Sequence, residues 1–367
     1  MKSAVNTSLN GICPYFTMFP LEFPYGILKH EAKADDWVID PFCGRGTTNY
    51  ASRMLGLPSI GIDSSPVAMA TSCAKLANTT PERILQAAKT ILDAIALPAE
   101  VPQGEFWEWA FHKEVLVLLC RLREGLLTNC ESDARKALRG IILGALHGPR
   151  GKYKQSYFSN QSQRTYAPKP HYAVNYWKKY NLRPERVDVL AIIEDRAQRY
   201  YEADLPAAKG HIVYGDSRSS AMYHTVPKQI SWIITSPPYY GMRTYLPDQW
   251  LRLWFCGGPA HVTYSNSFQV EHSGPDIFAQ QLRQVWKNLG SHCLVDAKLI
   301  IRFGGINDRK VDPSTILLAS LEETGWHLLS RSSAGFASRG RRQALHFSKS
   351  QRDGVEEHDF WACWRGI

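Results

Sequence analysis

Thr235-Ser236-Pro237-Pro238-Tyr239 sets two aliphatic hydroxyls, backbone carbonyls and a phenol ring within five residues. It follows the apolar run Ile230-Ser231-Trp232-Ile233-Ile234, which reads as a buried strand. Two prolines cannot continue a strand and they stiffen the turn. Ser236 precedes a proline and is therefore extended. Such a loop suits a planar amine, because its oxygens accept N–H groups and its ring offers a stacking face. Ser236 to Tyr239 taken alone fit a proline-rich turn with a buried tyrosine equally well.

A second stretch has chemistry of another kind. Trp37-Val38-Ile39-Asp40-Pro41-Phe42-Cys43-Gly44-Arg45-Gly46-Thr47-Thr48 reads as a strand, a tight glycine turn and a helix start. Gly44 and Gly46 permit positive φ and close approach of backbone to a ligand. Asp40 can accept a hydrogen bond from a ligand cation or hydroxyl, and Thr47 and Thr48 are candidate caps for the helix. Ile60-Gly61-Ile62-Asp63-Ser64-Ser65-Pro66 is a second strand ending in an acid, where α/β nucleotide sites hold ribose hydroxyls. A dinucleotide site is the obvious rival. Gly-x-Gly followed by Thr-Thr, without a third glycine, counts against it.

Together these stretches resemble the S-adenosylmethionine-dependent DNA amino-methyltransferases. Asp40 to Thr48 is similar to that family's Asp-Pro-Phe-x-Gly-x-Gly-Thr-Thr cofactor loop, and Ser236-Pro237-Pro238-Tyr239 to its catalytic loop. Phe19-Pro20 looks like the Phe-Pro element that lies near the methionine end of the cofactor. The resemblance implies a Rossmann-like α/β fold with a seven-strand methyltransferase sheet. It also implies S-adenosyl-L-methionine as cofactor, held by Phe19, Pro20, Asp40, Phe42, Gly44, Gly46, Thr47, Thr48, Asp63 and Ser64. Asp216, after the run His211-Ile212-Val213-Tyr214-Gly215, inherits the family acid's contact with the adenine, and Ser217 beside it joins the cofactor-binding residues. A helix cap is the other reading of Asp216.

The elements that must position these residues fall into three parts. Residues 1–78 form the first half of the methyltransferase domain, with helices expected over 47–56 and 66–78. Residues 79–209 break the strand–helix alternation and form a mainly helical insertion between the second and third strands. Within it, Pro81 marks a helix start after Thr79 and Thr80, and 109–127 and 133–147 read as further helices. Residues 210–367 complete the sheet, with helices through Trp250 and over 276–289 and strands near 298–303, Leu328 and 358–364.

The chain has 367 residues, 44% of them apolar, and a net charge of +9, which favours a polyanionic partner. The insertion concentrates that charge. Nine Lys/Arg against Glu185 alone fall between His147 and Arg186, interleaved with eight aromatics. Arg150, Lys152, Lys154, Asn160, Gln161, Arg164 and Lys169 are candidate DNA contacts, since Lys and Arg hold phosphates and Asn, Gln and Arg read base edges. The aromatics could stack on unpaired bases. Arg243 joins them beside the catalytic loop. Residues 331–352 carry six Lys/Arg and no acid and read as a basic loop between the last two strands, with Arg339, Arg341 and Arg342 as contacts. A solvated surface accounts for both basic segments equally simply.

Eight scattered cysteines show no metal-site spacing, so no metal is expected and the thiols read as reduced. Without a signal peptide or a bilayer-length apolar run, a cytoplasmic protein of bacterial or phage origin is expected. A companion restriction nuclease or defence protein is compatible with this reading.

The mechanism implied is direct methyl transfer to an exocyclic base amine. Ser236 Oγ and the Pro237 carbonyl accept its N–H groups, Tyr239 stacks on the base, and catalysis is positioning and electrostatics. In a duplex the base must leave the stack. Serine at the first catalytic position favours cytosine N4 over adenine N6 within the resemblance. The motif order departs from many N4-cytosine enzymes, since the cofactor loop comes first. An RNA amino-methyltransferase, a protein-glutamine methyltransferase and a catalytically inactive DNA-binding homologue are the remaining alternatives.

Overall fold

The computed structural model describes residues 7–14, 19–149, 155–159, 170–241, 246–263, 270, 273–305, 311–336 and 356–366. The chain divides into two compact units. One comprises 1–14, 73–205 and 245–266, the other 15–72, 206–244 and 267–367.

The second unit is built on one sheet. Its strands are β1 (Trp37–Asp40), β2 (Ser59–Asp63), β3 (Gly210–Tyr214), β4 (Ile230–Thr235), β5 (Cys293–Gly304), β6 (Trp326–Phe336) and β7 (Glu356–Trp364). They lie in the order β3-β2-β1-β4-β5-β7-β6. β1 to β5 are mutually parallel, and β7 runs antiparallel to both β5 and β6. This is the Rossmann-like α/β methyltransferase sheet, with its reversed terminal hairpin.

The inner strands are apolar almost throughout because parallel strands are covered on both faces. Val38, Ile39, Ile60, Ile62, Ile233, Ile234, Leu299 and Ile300 are fully buried. The helices that accompany the sheet are α1 (Glu22–Glu31), α2 (Thr47–Met54), α3 (Pro66–Leu76), α11 (Pro275–Gly290) and α12 (Pro313–Leu321). α11 buries Phe278, Leu282, Val285 and Trp286 in the same core as Ile39, Ile233 and Phe360.

Between β2 and β3 every described regular element is helical, α3 being followed by α4 (Pro81–Ala94), α5 (Glu105–Ala110), α6 (Lys113–Thr128), α7 (Asp133–Ala145), α8 (Pro170–Lys179) and α9 (Val189–Tyr201). α10 (Leu246–Phe255) belongs to the same unit. Thr80 and Ser132 cap α4 and α7 by accepting from Arg83 N and Arg135 N. α4 packs on α6, α7 and α9, and α5 packs on α8.

Three expectations change. The helix expected over 109–127 is two helices, because Phe111 is extended and His112 caps a new start at Lys113 by accepting from Glu114 N–H. The mainly helical insertion carries two helices beyond those delimited from the sequence, α8 and α9, whose apolar faces bury Trp177 and Ile193. The basic loop expected from 331 does not begin there, since 331–336 complete β6, where Arg331 shares a hydrogen bond with His358; 337–355 lie outside the described residues. Among the described residues, no helix is long and apolar enough to cross a membrane.

Candidate active site

Parallel pairing brings the C-terminal ends of four strands to one edge of the sheet. Asp40 ends β1, Asp63 ends β2, Asp216 follows β3, and Ser236 follows β4. The strand order reverses between β1 and β4, and in an open α/β sheet that switch point is the usual ligand position.

The cofactor-type loop is held from several sides. Gly44 N–H donates to Asp63 Oδ2 at 2.8 Å, and Ser65 N–H to Asp63 Oδ1 at 2.8 Å. Burial raises the Asp63 carboxyl above its ordinary range, against the pull of these N–H donors. Ser64 N–H is a third backbone donor to this carboxylate, whose roughly four lone-pair sites still leave room for a further donor. Gly46 has φ of 71°, and a Cβ there would lie 2.7 Å from Ser72 Oγ. Both facts require glycine. A Cβ on Gly44 would meet only the Phe42 carbonyl oxygen, at 3.9 Å, so the loop is open on that side.

Thr47 and Thr48 do not cap α2, because Gly46 occupies the capping position in the left-handed region. Thr48 Oγ1 instead donates to the Ile234 carbonyl at 3.0 Å, tying the helix to β4. Thr47 Oγ1 is buried with no partner among the described residues.

Asp40 joins the two loops. Its Oδ1 accepts from Phe42 N–H at 3.1 Å and from Thr235 Oγ1 at 2.6 Å. Burial pushes its carboxyl up to about 7; the bonds from Thr235, Phe42 and Thr48 oppose the rise, and the neighbouring Asp63 adds to it.

Beyond Thr235 the loop separates its side chains. Ser236 is half-buried and makes no hydrogen bond to a described residue. Pro237 is buried and Pro238 half-buried. Tyr239 is buried, packs edge-on against Phe303 with centroids 5.5 Å apart, and donates from its hydroxyl to Glu357 Oε1 at 2.6 Å. Tyr240 packs against Phe278.

The acid after β3 is already engaged. Asp216 receives Arg218 through both carboxylate oxygens, with Nε at 2.9 Å and Nη2 at 2.6 Å. Burial opposes ionisation of Asp216, but the bonds from Arg218 outweigh it and hold the carboxyl below its ordinary range. Ser217 Oγ donates to the Pro41 carbonyl, so it braces the first loop from the side. Phe42 meets Trp286 edge-on at 6.2 Å. Phe19 is buried against Phe23 at 5.4 Å, and Arg302, paired with Asp359, lies 3.8 Å over the Phe23 ring. Pro20 is exposed and Ser64 half-buried.

Residues 2–73 match the DNA methylase family of N6- and N4-methyltransferases. That stretch contains Phe19-Pro20, the glycine loop and Asp63 but not Ser236. Similar solved structures include an rRNA methyltransferase from Streptomyces viridochromogenes, at 11% identity and a TM-score of 0.36, covering 98% of this chain and 96% of that one. Another is a SAM-dependent methyltransferase from Methanosarcina mazei, at 8% identity and a TM-score of 0.38, covering 96% of this chain and 100% of that one. No curated protein matches the chain. Both structures are distant, and the fold assignment rests on the strand order itself.

Three side chains at the site have roles that were not anticipated. Thr235 was legible in retrospect, since it ends the strand beside β1. Arg218 follows Asp216 by two residues, the spacing of an Asx turn. Glu357 lies 118 residues from Tyr239 and had no local signal. The DNA-contact candidates Arg150, Lys152, Lys154, Asn160, Gln161, Arg164, Lys169, Arg243, Arg339, Arg341 and Arg342 lie outside the described residues.

Proposed function

We propose that the protein is an S-adenosylmethionine-dependent DNA amino-methyltransferase, with cytosine N4 as the favoured acceptor. The observation that carries this reading is the uncommitted Ser236 hydroxyl at the β1/β4 switch point, one residue beyond the Thr235–Asp40 bond.

The residues present fit the cofactor. The opening at Gly44, the unpartnered Thr47 hydroxyl and the remaining lone pairs of Asp63 and Asp40 suit a nucleoside bearing an amino acid. Gly44, Thr47, Asp40 and Asp63 would hold it, with Phe19, Pro20, Phe42, Gly46, Thr48 and Ser64 around them. Asp216, bound to Arg218, would offer only its remaining lone pairs to the adenine. When bound, S-adenosylmethionine supplies a methyl group on an electrophilic sulfonium.

The chain's own part is to prepare the amine. Its lone pair is delocalised into the base ring, and accepting N–H bonds at Ser236 Oγ and the Pro237 carbonyl returns electron density to nitrogen. Glu357 holds the Tyr239 ring at one tilt, so a base stacked on it meets a fixed surface. Such preorganised acceptors cost no reorganisation at the moment of transfer.

Methylation-aware sequencing of DNA from cells expressing the chain tests the reading. Modified cytosines at a recurrent sequence are expected, and they vanish with Ser236→Ala. Methyl marks on adenine N6 alone would move the acceptor to the alternative base. Unmodified DNA beside methylated RNA would replace the substrate.

A further inference from the structure

Tyr172, Tyr176 and Tyr180 follow one another at four-residue spacing along α8 and the turn that ends it. One face of this helix is spoken for, since Ala173, Val174 and Trp177 are buried in the helical unit. The three tyrosines point the other way and are 75%, 41% and 54% exposed. Tyr176 and Tyr180 are in ring contact, with centroids 4.6 Å apart. Large aromatics are costly to leave in water, so an aligned row of them marks a surface with an occupant.

The charge around the row says what kind of occupant. α8 contains no acidic residue and ends in Lys178 and Lys179. Lys179 Nζ lies 5.5 Å from the centre of the Tyr180 ring. Lys178 is paired with Glu105 across to α5. No acidic residue occurs in the sequence from His147 up to Glu185, while eight Lys/Arg do. A row of rings beside positive charge is what an unpaired nucleic-acid strand requires: bases stack on the rings and phosphates meet the amines.

The chemistry selects an unpaired strand over a duplex. Within a duplex the base faces are covered by their stacked neighbours, so exposed rings can stack only on bases of an unpaired strand.

We propose that the Tyr172–Tyr176–Tyr180 face of α8 is a stacking platform for an unpaired stretch of DNA. The identity of the strand as DNA rests on the function proposed above; the stacking chemistry does not.

Fluorescence anisotropy of the full chain with a labelled single-stranded thymidine oligonucleotide, its duplex and the matching uridine RNA tests this. The expected result is single-strand binding that weakens about tenfold or more in Tyr172→Ala/Tyr176→Ala. Tyr172→Phe/Tyr176→Phe should bind as the parent does, because the ring is retained. Cofactor binding should be equal in all three proteins, which shows that each is folded. Parent-like binding by the alanine pair would overturn the platform. So would a loss of self-association in the alanine pair with DNA binding unchanged, since a second copy would then cover the face. Tighter binding of RNA than of DNA would overturn the choice of strand. A parent chain that binds no nucleic acid would instead sink the proposed function.

Discussion

Ser236 and Asp40 are neighbours in role as well as in space, because the Thr235 hydroxyl between them binds the acid. Ser236→Ala removes an acceptor that matters only once an amine is present. It should lower methyl transfer on the order of a hundredfold and leave cofactor affinity unchanged; calorimetry beside a rate assay separates the two. Asp40 has a pH signature of its own. Its carboxyl is raised from 3.8 to about 7, so the folded chain holds the proton more tightly than the unfolded chain. This contribution to stability is full below about pH 4, declines as pH rises toward 7 and is flat above it. Urea unfolding of Asp40→Asn should show a shallower fall in stability between those limits than the parent does, and an unchanged fall would mean that other groups set it. Tyr239→Phe leaves Glu357 buried with one donor fewer and should cost about 1–3 kcal/mol. Adding Glu357→Gln to it should cost little more, whereas fully additive losses would deny the pair.

At the scale of elements, Gly46 shows what local sequence can announce. A glycine after Asp-Pro-Phe-Cys-Gly-Arg predicts a tight turn, and the turn is there with φ of 71°. Gly46→Ala meets both that strain and Ser72, and should destabilise the fold by about 1–3 kcal/mol in denaturant titration. The strands were legible because continuous apolar runs bounded by Gly, Pro or acid have few other readings. Helix ends were less so. Phe111 looked like part of one long apolar stripe, and only the His112 cap reveals the break. The threonines after Gly46 looked like caps, yet Thr48 donates to the Ile234 carbonyl, an acceptor 186 residues away that no local pattern announces. Pairings across the sheet, such as Glu357 with Tyr239, depend on β7 folding back beside β5, and no spacing in the sequence encodes that.

The whole chain joins a methyltransferase sheet to a helical unit within a strongly basic sequence. Its positive charge is concentrated in two segments, so reversing charge at Arg341 and Arg342 should weaken DNA binding and flatten its dependence on salt. An unchanged salt slope would make that segment ordinary surface. The family match extends over about a fifth of the chain, residues 2–73 of 367, and ends before the loop that would choose the substrate. The central claim is therefore best tested on the product. Purified chain is incubated with S-adenosylmethionine and unmodified DNA, the DNA is digested to nucleosides, and these are resolved by mass spectrometry. N4-methylcytosine that appears with the parent and not with Ser236→Ala is the predicted result. DNA nucleosides left unmethylated by a chain that binds the cofactor would contradict it.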